Sequence, residues 1–368
     1  MTSVGRAGHD EAVATRDPVV DLRRIAFLLE RAHSSTYRVR AFRTAANVLA
    51  GRDDLGTLAK GRGLTKIKGV GDTTARCVLQ SLAGEEPAYL TELEAEAVAG
   101  AGARASGSSV PAIPALTGAG AELRAALRGD CHTHSDWSDG GSPIEEMALT
   151  ARDLGHEYVV LTDHSPRLTV ANGLSAERLR RQLEVVAELN TRLAPFTVLT
   201  GIEVDILDDG ALDQSESLLA ELDLVVASVH SKLRMPAAEM TERMLTAVAN
   251  PHVDVLGHCT GRMVTGDRKR PESAFDAAAV FDACAEYGVA VEVNSRPERL
   301  DPPRRLLRQA VAAGCDFALD TDAHAPGQLD WLPYGCARAA DCEVPADRVI
   351  NTLPAAHLLT RTRRSASR

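Results

Sequence analysis

Six histidines and three carboxylates, spread over nearly two hundred residues, each fall at or just past the end of a short apolar run. They are His132, His134 and Asp139 in GDCHTHSDWSDG, His164 in VVLTDHS, Glu203 in LTGIEVDI, His230 in VVASVHS, His258 in VLGHC, and Asp322 with His324 in LDTDAH. The runs themselves, at 158–161, 197–199, 224–227, 253–256, 289–293 and 317–319 with the segment entering Cys131, predict seven strands. Helical patterns lie between several of them. Ser142-Pro143-Ile144-Glu145 has the capping residues of a helix start, and Gly155, Gly288 and Gly314 follow helical runs and precede strands. Alternating strands and helices call for a parallel sheet. Polar residues gathered past the C-terminal ends of so many strands call for its closure into a barrel with the site at that face. The predicted fold class is α/β, a seven-stranded TIM-like barrel over residues 123–360.

His132 and His134 are two residues apart, so on an extended segment both rings point to one face, and Asp322 with His324 repeats the spacing. Imidazole mixed with carboxylate suits zinc, manganese or iron, and a carboxylate such as Glu203 shared between ions offsets their repulsion. Nine ligands exceed what one ion can take and suffice for two or three. His9, His33, His156, His252 and His357 lack the strand-end context and are read as ordinary histidines. Cys131, Cys259, Asp136 and Asp205 adjoin ligands and are read as neighbours of the site, with direct coordination as the alternative.

A chain of 368 residues divides most readily into two domains, and 45% apolar content fills both cores. Residues 18–93 have helical periodicity, with Ile25, Leu28 and Leu29 on one stripe and Phe42, Ala45, Ala46 and Leu49 on another. Within them, Lys66-Ile67-Lys68-Gly69-Val70-Gly71 reads as a hairpin between helices. Its backbone N–H groups and the following helix N-terminus suit a phosphate oxygen, although an ordinary tight turn explains the glycines as well. Charge divides the chain in the same place. Residues 18–86 carry twelve Lys/Arg and seven Asp/Glu, a balance of +5, so the net charge of −10 leaves −15 elsewhere. A basic region on an acidic protein fits a partner held through its phosphates, or simply a solvated helical face.

Residues 94–122, rich in Ala, Gly, Ser and Pro, read as a linker, residues 1–17 as a disordered N-terminus and residues 361–368 as a basic frayed tail. No run approaches the roughly 20 apolar residues of a membrane span, and residues 1–17 lack an apolar signal core. Seven dispersed cysteines form no CxxC pair. A cytoplasmic protein is expected, with neither a disulfide framework nor a membrane partner.

In order and spacing, DCHTHSDWSDG, TDHS, GIEVDI, SVHS, GHCTGR and TDAH resemble the motifs of the polymerase and histidinol phosphatase (PHP) superfamily of metal-dependent phosphoesterases. Within it they are most similar to the C-terminal domain of bacterial family X DNA polymerases, as are Tyr334-Gly335 and Asn351-Thr352-Leu353-Pro354. The resemblance covers about residues 128–360 and implies a distorted seven-stranded barrel holding three metal ions, with all nine ligand positions matched. It implies one ion on His132, His134, Glu203 and Asp322, a second on Asp139, His164 and His324, and a third on Glu203, His230 and His258. Asp139, where some members carry histidine, is the polymerase-type variant. Cys131 and Cys259 depart mildly from the apolar or proline residues more usual there.

The stretch Tyr37–Ala46, with Arg38, Arg40 and Arg43, and the hairpin of Lys66, Lys68, Gly69, Val70 and Gly71 look like the helix-hairpin-helix domain that begins those polymerases. The likeness implies a small all-α DNA-binding domain with these residues as contacts. The polymerase palm needs metal-binding aspartates, and none occurs between Asp72 and Asp130, so polymerase activity is not expected. Cys77 stands at the lysine with which some relatives remove a deoxyribose phosphate, so lyase activity is not expected either.

Metals so placed activate water and neutralise charge on a phosphoryl group, with Arg262 of CTGR as a candidate phosphate clamp or else a surface charge past a strand. Three functions follow for comparison. The first is a DNA 3′-5′ exonuclease or end-processing phosphodiesterase of DNA repair. The second is a small-molecule phosphomonoesterase of the histidinol-phosphatase type. The third is a DNA-binding module whose barrel is only structural. A basic domain tethered to a metal barrel favours the first, because the tether concentrates DNA at a site that reads no sequence. The complete ligand set disfavours the third.

Overall fold

The computed structural model describes residues 16–61, 63–99, 112–265 and 269–362, and it divides into two compact units, Met1–Ser108 and Ser109–Arg368. Residues 1–15, the linker positions 100–111 and the tail beyond 362 lie outside the described residues.

The first unit is helical: α1 (Pro18–Arg31), α2 (Thr36–Leu49), α3 (Leu55–Leu58), α4 (Asp72–Leu82) and α5 (Ala88–Ala99). Pro18 opens α1 in its first turn, and the Asp17 carboxylate accepts the Val19 N–H at 2.8 Å, satisfying one of the donors a helix start leaves free. The stripe Leu22, Ile25, Ala26 and Leu29 packs with Phe42, Ala45, Ala46 and Leu49 of α2 and with Ala75 and Val78 of α4. Leu90 and Leu93 join that core, and the Ala- and Glu-rich turns after them favour helix, so α5 carries structure past residue 94 to Ala99. The linker expected over 94–122 is therefore cut at both ends, since the next helix already begins at Gly118. In the hairpin, Gly69 has φ 100° and a Cβ there would stand 2.7 Å from Thr44 Cγ2, which makes the glycine a requirement of the turn.

The second unit lays seven parallel strands in chain order: β1 (Gly129–Thr133), β2 (Tyr158–Leu161), β3 (Thr197–Asp205), β4 (Leu224–Ser228), β5 (Val255–Leu256), β6 (Ala290–Asn294) and β7 (Phe317–Asp320). Helices α6 (Gly118–Ala126), α7 (Ile144–Asp153), α8 (Ala176–Leu193), α9 (Glu216–Leu219), α10 (Ala237–Ala249), α11 (Ala277–Tyr287), α12 (Arg304–Ala312), α13 (Leu332–Asp341) and α14 (Ala355–Arg361) complete it. The period of two sorts each strand's side chains. Tyr158 and Val160 join Leu199, Leu224, Val226, Ala290 and Ala318 in the barrel interior, while Val159 and Leu161 pack with α7 and α8. Towards the C-terminal ends the inward positions turn polar: Glu203 lies beyond Leu199, Glu292 and Asn294 beyond Ala290, and Asp320 beyond Ala318. Between Leu199 and Glu203 stands Gly201, where a Cβ would meet Leu224 O and Val160 Cγ1 at 2.8 Å, so the neighbouring strands close in only around glycine.

The barrel closes between β1 and β7 by side chains more than by a backbone ladder. Backbone contact there is a single parallel bridge, Thr133 to Ala323. Below it the Cys131 N–H donates to Asp320 Oδ1 at 2.7 Å, and the Thr321 N–H donates to Asp130 Oδ2 at 3.2 Å. Asn351 completes the seam, accepting the Leu319 N–H at 2.7 Å and donating to Asp320 Oδ1 at 2.8 Å and Gly129 O at 3.3 Å. Burial pushes the Asp320 carboxyl well above the carboxylate range and that of Asp130 up to about 6. No helix among the described residues is long and apolar enough to cross a membrane.

His156, between α7 and β2, is buried with neither ring nitrogen hydrogen-bonded. Burial, with the Arg124 cation second, pushes its pKa down to about 4. The folded value lies below the unfolded one of about 6.5, so the unfolded chain takes up the proton first. The neutral ring's contribution is intact above that pH and is lost as pH falls towards the folded value. We expect wild type to lose about 2 kcal/mol through this ring on going from about pH 7 to pH 4.5, and His156→Leu to lose none of it. Urea unfolding of both proteins at the two pH values checks this; a difference between them that does not change with pH refutes it.

Candidate metal centre

At the C-terminal mouth of this barrel the nine candidate ligands come together around Glu203, which reaches in from the end of β3. Its Oε1 lies 2.9 Å from His258 Nε2 and 3.2 Å from His230 Nε2. Its Oε2 lies 2.9 Å from His164 Nδ1, 3.3 Å from His132 Nε2 and 3.6 Å from His134 Nε2. Farther out, Asp139 Oδ1 is 3.3 Å from His324 Nε2 and 3.5 Å from His164 Nε2. Asp322 Oδ1 stands 3.5 Å from His134 Nε2. Three sets of donor atoms lie within 4.8 Å of one another: His134 with Asp139, His164 and His324; His132 with His134 and Glu203; and His164 with Glu203 and His230. His134 and His164 each belong to two sets, so the donors form one continuous cluster instead of three separate cages.

These residues fit metal ions. Buried and outside hydrogen-bond geometry are His132 Nε2, both ring nitrogens of His134, His164 Nδ1, His230 Nε2, His258 Nδ1 and Glu203 Oε2, although Glu203 stands in ionic contact with His132, His164 and His230. Each unpaired buried polar atom costs about 1–3 kcal/mol, a penalty that cations among them would remove.

A second layer of side chains aims the first. Glu292 Oε1 is 2.6 Å from His132 Nδ1, and its Oε2 accepts the backbone N–H of His258. Asp205 Oδ1 is 2.9 Å from His230 Nδ1 and accepts the His230 N–H at 3.2 Å. Asp163 gathers the loop after β1, accepting from Ser135 N at 2.8 Å, Ser135 Oγ at 2.6 Å, Ser138 Oγ at 2.5 Å and Gln182 Nε2 at 2.6 Å. Asp301 does the same for the loop after β5, accepting from Thr260 Oγ1 at 2.6 Å. In Glu292→Gln the amide cannot accept both protons, and we expect about 10–100-fold weaker metal binding with the fold retained, measured by chelator competition.

Electrostatics follow from this packing. Burial alone would raise the Glu203 carboxyl, but the imidazoles of His132, His230 and His164 outweigh it and hold it well below the usual range. Burial, then the neighbouring His324 and His164, pushes His134 down to about 3, which keeps the ring neutral, with one nitrogen's lone pair free for a metal. For His230 burial is overcome by Glu203 and Asp205, which raise it to about 9.

Not every expected functional residue takes the expected place. Arg262 does not point to the cluster: its Nε donates to Arg299 O at 3.0 Å, its Nη2 to Leu300 O, and its Nη1 lies 3.5 Å from Glu272. Its fork is spent on shaping the loop after β6. That loop supplies the arginines that do reach the site. Arg299 Nε is ion-paired with Asp322 Oδ2 at 3.1 Å, and its buried Nη1 has no hydrogen-bond partner. Arg296 Nη1 is 3.1 Å from Asp322 O and from His324 Nδ1. In the helical unit, Arg43 is buried in a two-pronged pair with Glu30 at 2.8 and 2.7 Å, so it is a core residue and not a DNA contact. Arg38 donates to the Tyr89 hydroxyl, and Val70 buries its side chain. The Gly71 N–H is taken by Thr74 Oγ1 at 3.0 Å. Arg40, Lys66, Lys68 and Gly69 are exposed.

Residues 130–296 match the PHP domain family, and residues 16–86 match a helix-hairpin-helix domain family. The chain is 38% identical over 225 residues to the DNA polymerase/3′-5′ exonuclease PolX of Bacillus subtilis, covering 61% of this chain and 39% of that relative. It thus spans about two fifths of the length of that protein. It is 29% identical over 234 residues to a "Probable phosphatase" of Thermoanaerobacter sp., 61% of this chain and 89% of the relative. Among solved structures, a histidinol phosphate phosphatase from Lactococcus lactis, complexed with zinc, L-histidinol and phosphate, is 18% identical with a TM-score of 0.42, over 58% of this chain and 92% of that one.

Proposed function

We propose, from the premise that this chain joins a helix-hairpin-helix domain to a PHP domain, that it is a metal-dependent phosphoesterase that cuts DNA from its ends, as a 3′-5′ exonuclease or related phosphodiesterase. The observation that carries the proposal is the cluster of nine donors around Glu203, with buried imidazole nitrogens that make no hydrogen bond and, beside it, Arg299, paired with Asp322 through Nε and with a buried Nη1 left over. We read the set as a trinuclear centre, divided into the three groups that the sequence resemblance implies. Zinc, manganese or iron held there would supply the Lewis acidity that water activation and charge neutralisation at a phosphoryl group require.

The chain's own residues do the rest. Glu203 lends one oxygen to each side of the cluster and balances the positive charge there. The carboxylates at Nδ1, Glu292 for His132 and Asp205 for His230, hold a proton on that nitrogen, which turns the Nε2 lone pair to the centre. Arg299, held through Nε by Asp322, would offer its buried Nη1 to a non-bridging phosphoryl oxygen. The helical unit would hold the DNA backbone through Arg40, Lys66 and Lys68, without reading bases. Seven cysteines, all buried free thiols, suit a reducing cytoplasm.

The second reading, a small-molecule phosphomonoesterase, draws on the similarity to the probable phosphatase along most of that relative's length. One assay separates the two: protein loaded with manganese or zinc, offered labelled single-stranded DNA and a panel of phosphomonoesters. Shortening of the DNA is expected. Turnover of monoesters with intact DNA sinks the nuclease reading. The double substitution Lys66→Ala and Lys68→Ala is expected to weaken DNA turnover, and to lower the slope of its salt dependence by about one unit for each phosphate no longer neutralised, while monoester hydrolysis is unchanged.

A further inference from the structure

The outermost donors are held differently from the inner ones. Side chains of His132, His134 and Glu203 are at most 1% exposed, whereas Asp139 is 35% and His324 18% exposed. His132 and His230 are braced by carboxylates, but the ring of His324 leans on a backbone carbonyl, that of Asp322, 2.8 Å from its Nδ1. That carbonyl is aimed by an unusual backbone: Asp322 has φ 54°, in the left-handed region that residues other than glycine seldom adopt. Arg296 reaches the same point from the loop after β6, its Nη1 3.1 Å from Asp322 O and from His324 Nδ1. Its guanidinium is in turn seated 5.9 Å over the buried ring of Trp331, and its backbone N–H donates to Asn294 Oδ1 at 3.0 Å.

We propose that Arg296 is a positioning residue: it holds the left-handed turn from Asp322 to His324, and thereby sets how tightly the outer ion, that of Asp139, His164 and His324, is retained. The inference rests on the three-ion reading of the site. Because Asp322 and His324 face different parts of the cluster, a turn that relaxes swings His324 away while Glu203 still anchors the inner ions. The outer ion becomes the exchangeable one, and free metal concentration then governs how much of the enzyme is complete.

The test uses the full chain with Arg296→Met, and Arg296→Lys, which keeps one donor. Metal content after dialysis is measured by elemental analysis and Mn²⁺ rebinding by electron paramagnetic resonance, alongside activation by Mn²⁺. Wild type is expected to retain three ions and Arg296→Met two, the third refilling only at about 10–100-fold higher Mn²⁺, with kcat restored at saturation and Arg296→Lys intermediate. Three ions held with wild-type affinity by Arg296→Met overturn the inference. So does loss of all ions together, or unfolding in both variants by circular dichroism, since either makes Arg296 a general support of the barrel. Fewer than three ions in saturated wild type overturns the three-ion reading itself, and this inference with it.

Discussion

Glu203→Gln is expected to lower turnover by on the order of 10³-fold, equivalent to about 4 kcal/mol of transition-state stabilisation. The substitution keeps the volume and removes one charge and one acceptor from the point where five imidazoles converge. The amide nitrogen cannot bind a cation, so one side of the cluster loses its shared ligand while the other keeps a neutral oxygen. Metal content should fall with the rate, and added metal should restore little of it. Steady-state rates with metal analysis on the same samples check both. A Gln variant with wild-type rate and content would mean that Glu203 is not the hub of a metal centre.

Arg299→Met is expected to lower kcat/KM by roughly 10²–10³-fold with metal content retained, the loss typical of one donor aimed at developing charge in a dry site. Burial would weaken the Arg299 cation, but Asp322, Glu203, Asp301 and Glu292 outweigh it and keep it charged. Its Nη1 is buried without a hydrogen-bond partner, so an anion placed there gains a bond that water does not already supply. Arg262→Met is the control. Its guanidinium holds the carbonyls of Arg299 and Leu300, so its loss should lower the melting temperature before it lowers the chemistry. Equal losses of kcat/KM in both variants would remove the distinction between them.

What sequence reading recovers here and what it misses have the same physical origin. A ligand past the end of an apolar strand announces itself, because polarity is abrupt there and the strand carries the side chain to the mouth of the barrel. His164 after VVL and His230 after VVA are such cases. Glu292 is a carboxylate inside the apolar strand VEV, a placement that buried charge tolerates only with partners, and apolar patterning by itself passes over it. Arg296 and Arg299 also follow a strand, and the strand-end rule that picks out the histidines picks them out too once it is extended to cations. Arg262 and Arg43 mislead for the opposite reason. A guanidinium looks the same in sequence whether it meets a phosphate, a pair of carbonyls or a buried Glu30. Charge count in the helical unit likewise does not say which cations are already engaged.

The seam between β1 and β7 gives chain order an energetic meaning. The hydrogen bonds that cross from the β1 side to the β7 side join residues as far apart as 189 positions, from Cys131 to Asp320, and 222 positions, from Gly129 to Asn351. Pairings so remote in sequence form only after the intervening chain has been ordered, because the entropy of closing that long a loop must be met first. His132 and His134 stand at one lip of the seam and Asp322 and His324 at the other. The barrel is therefore a ring whose clasp carries part of the metal site. The closing that completes the fold also brings these ligands to the others, so a chain with an open ring has no complete site.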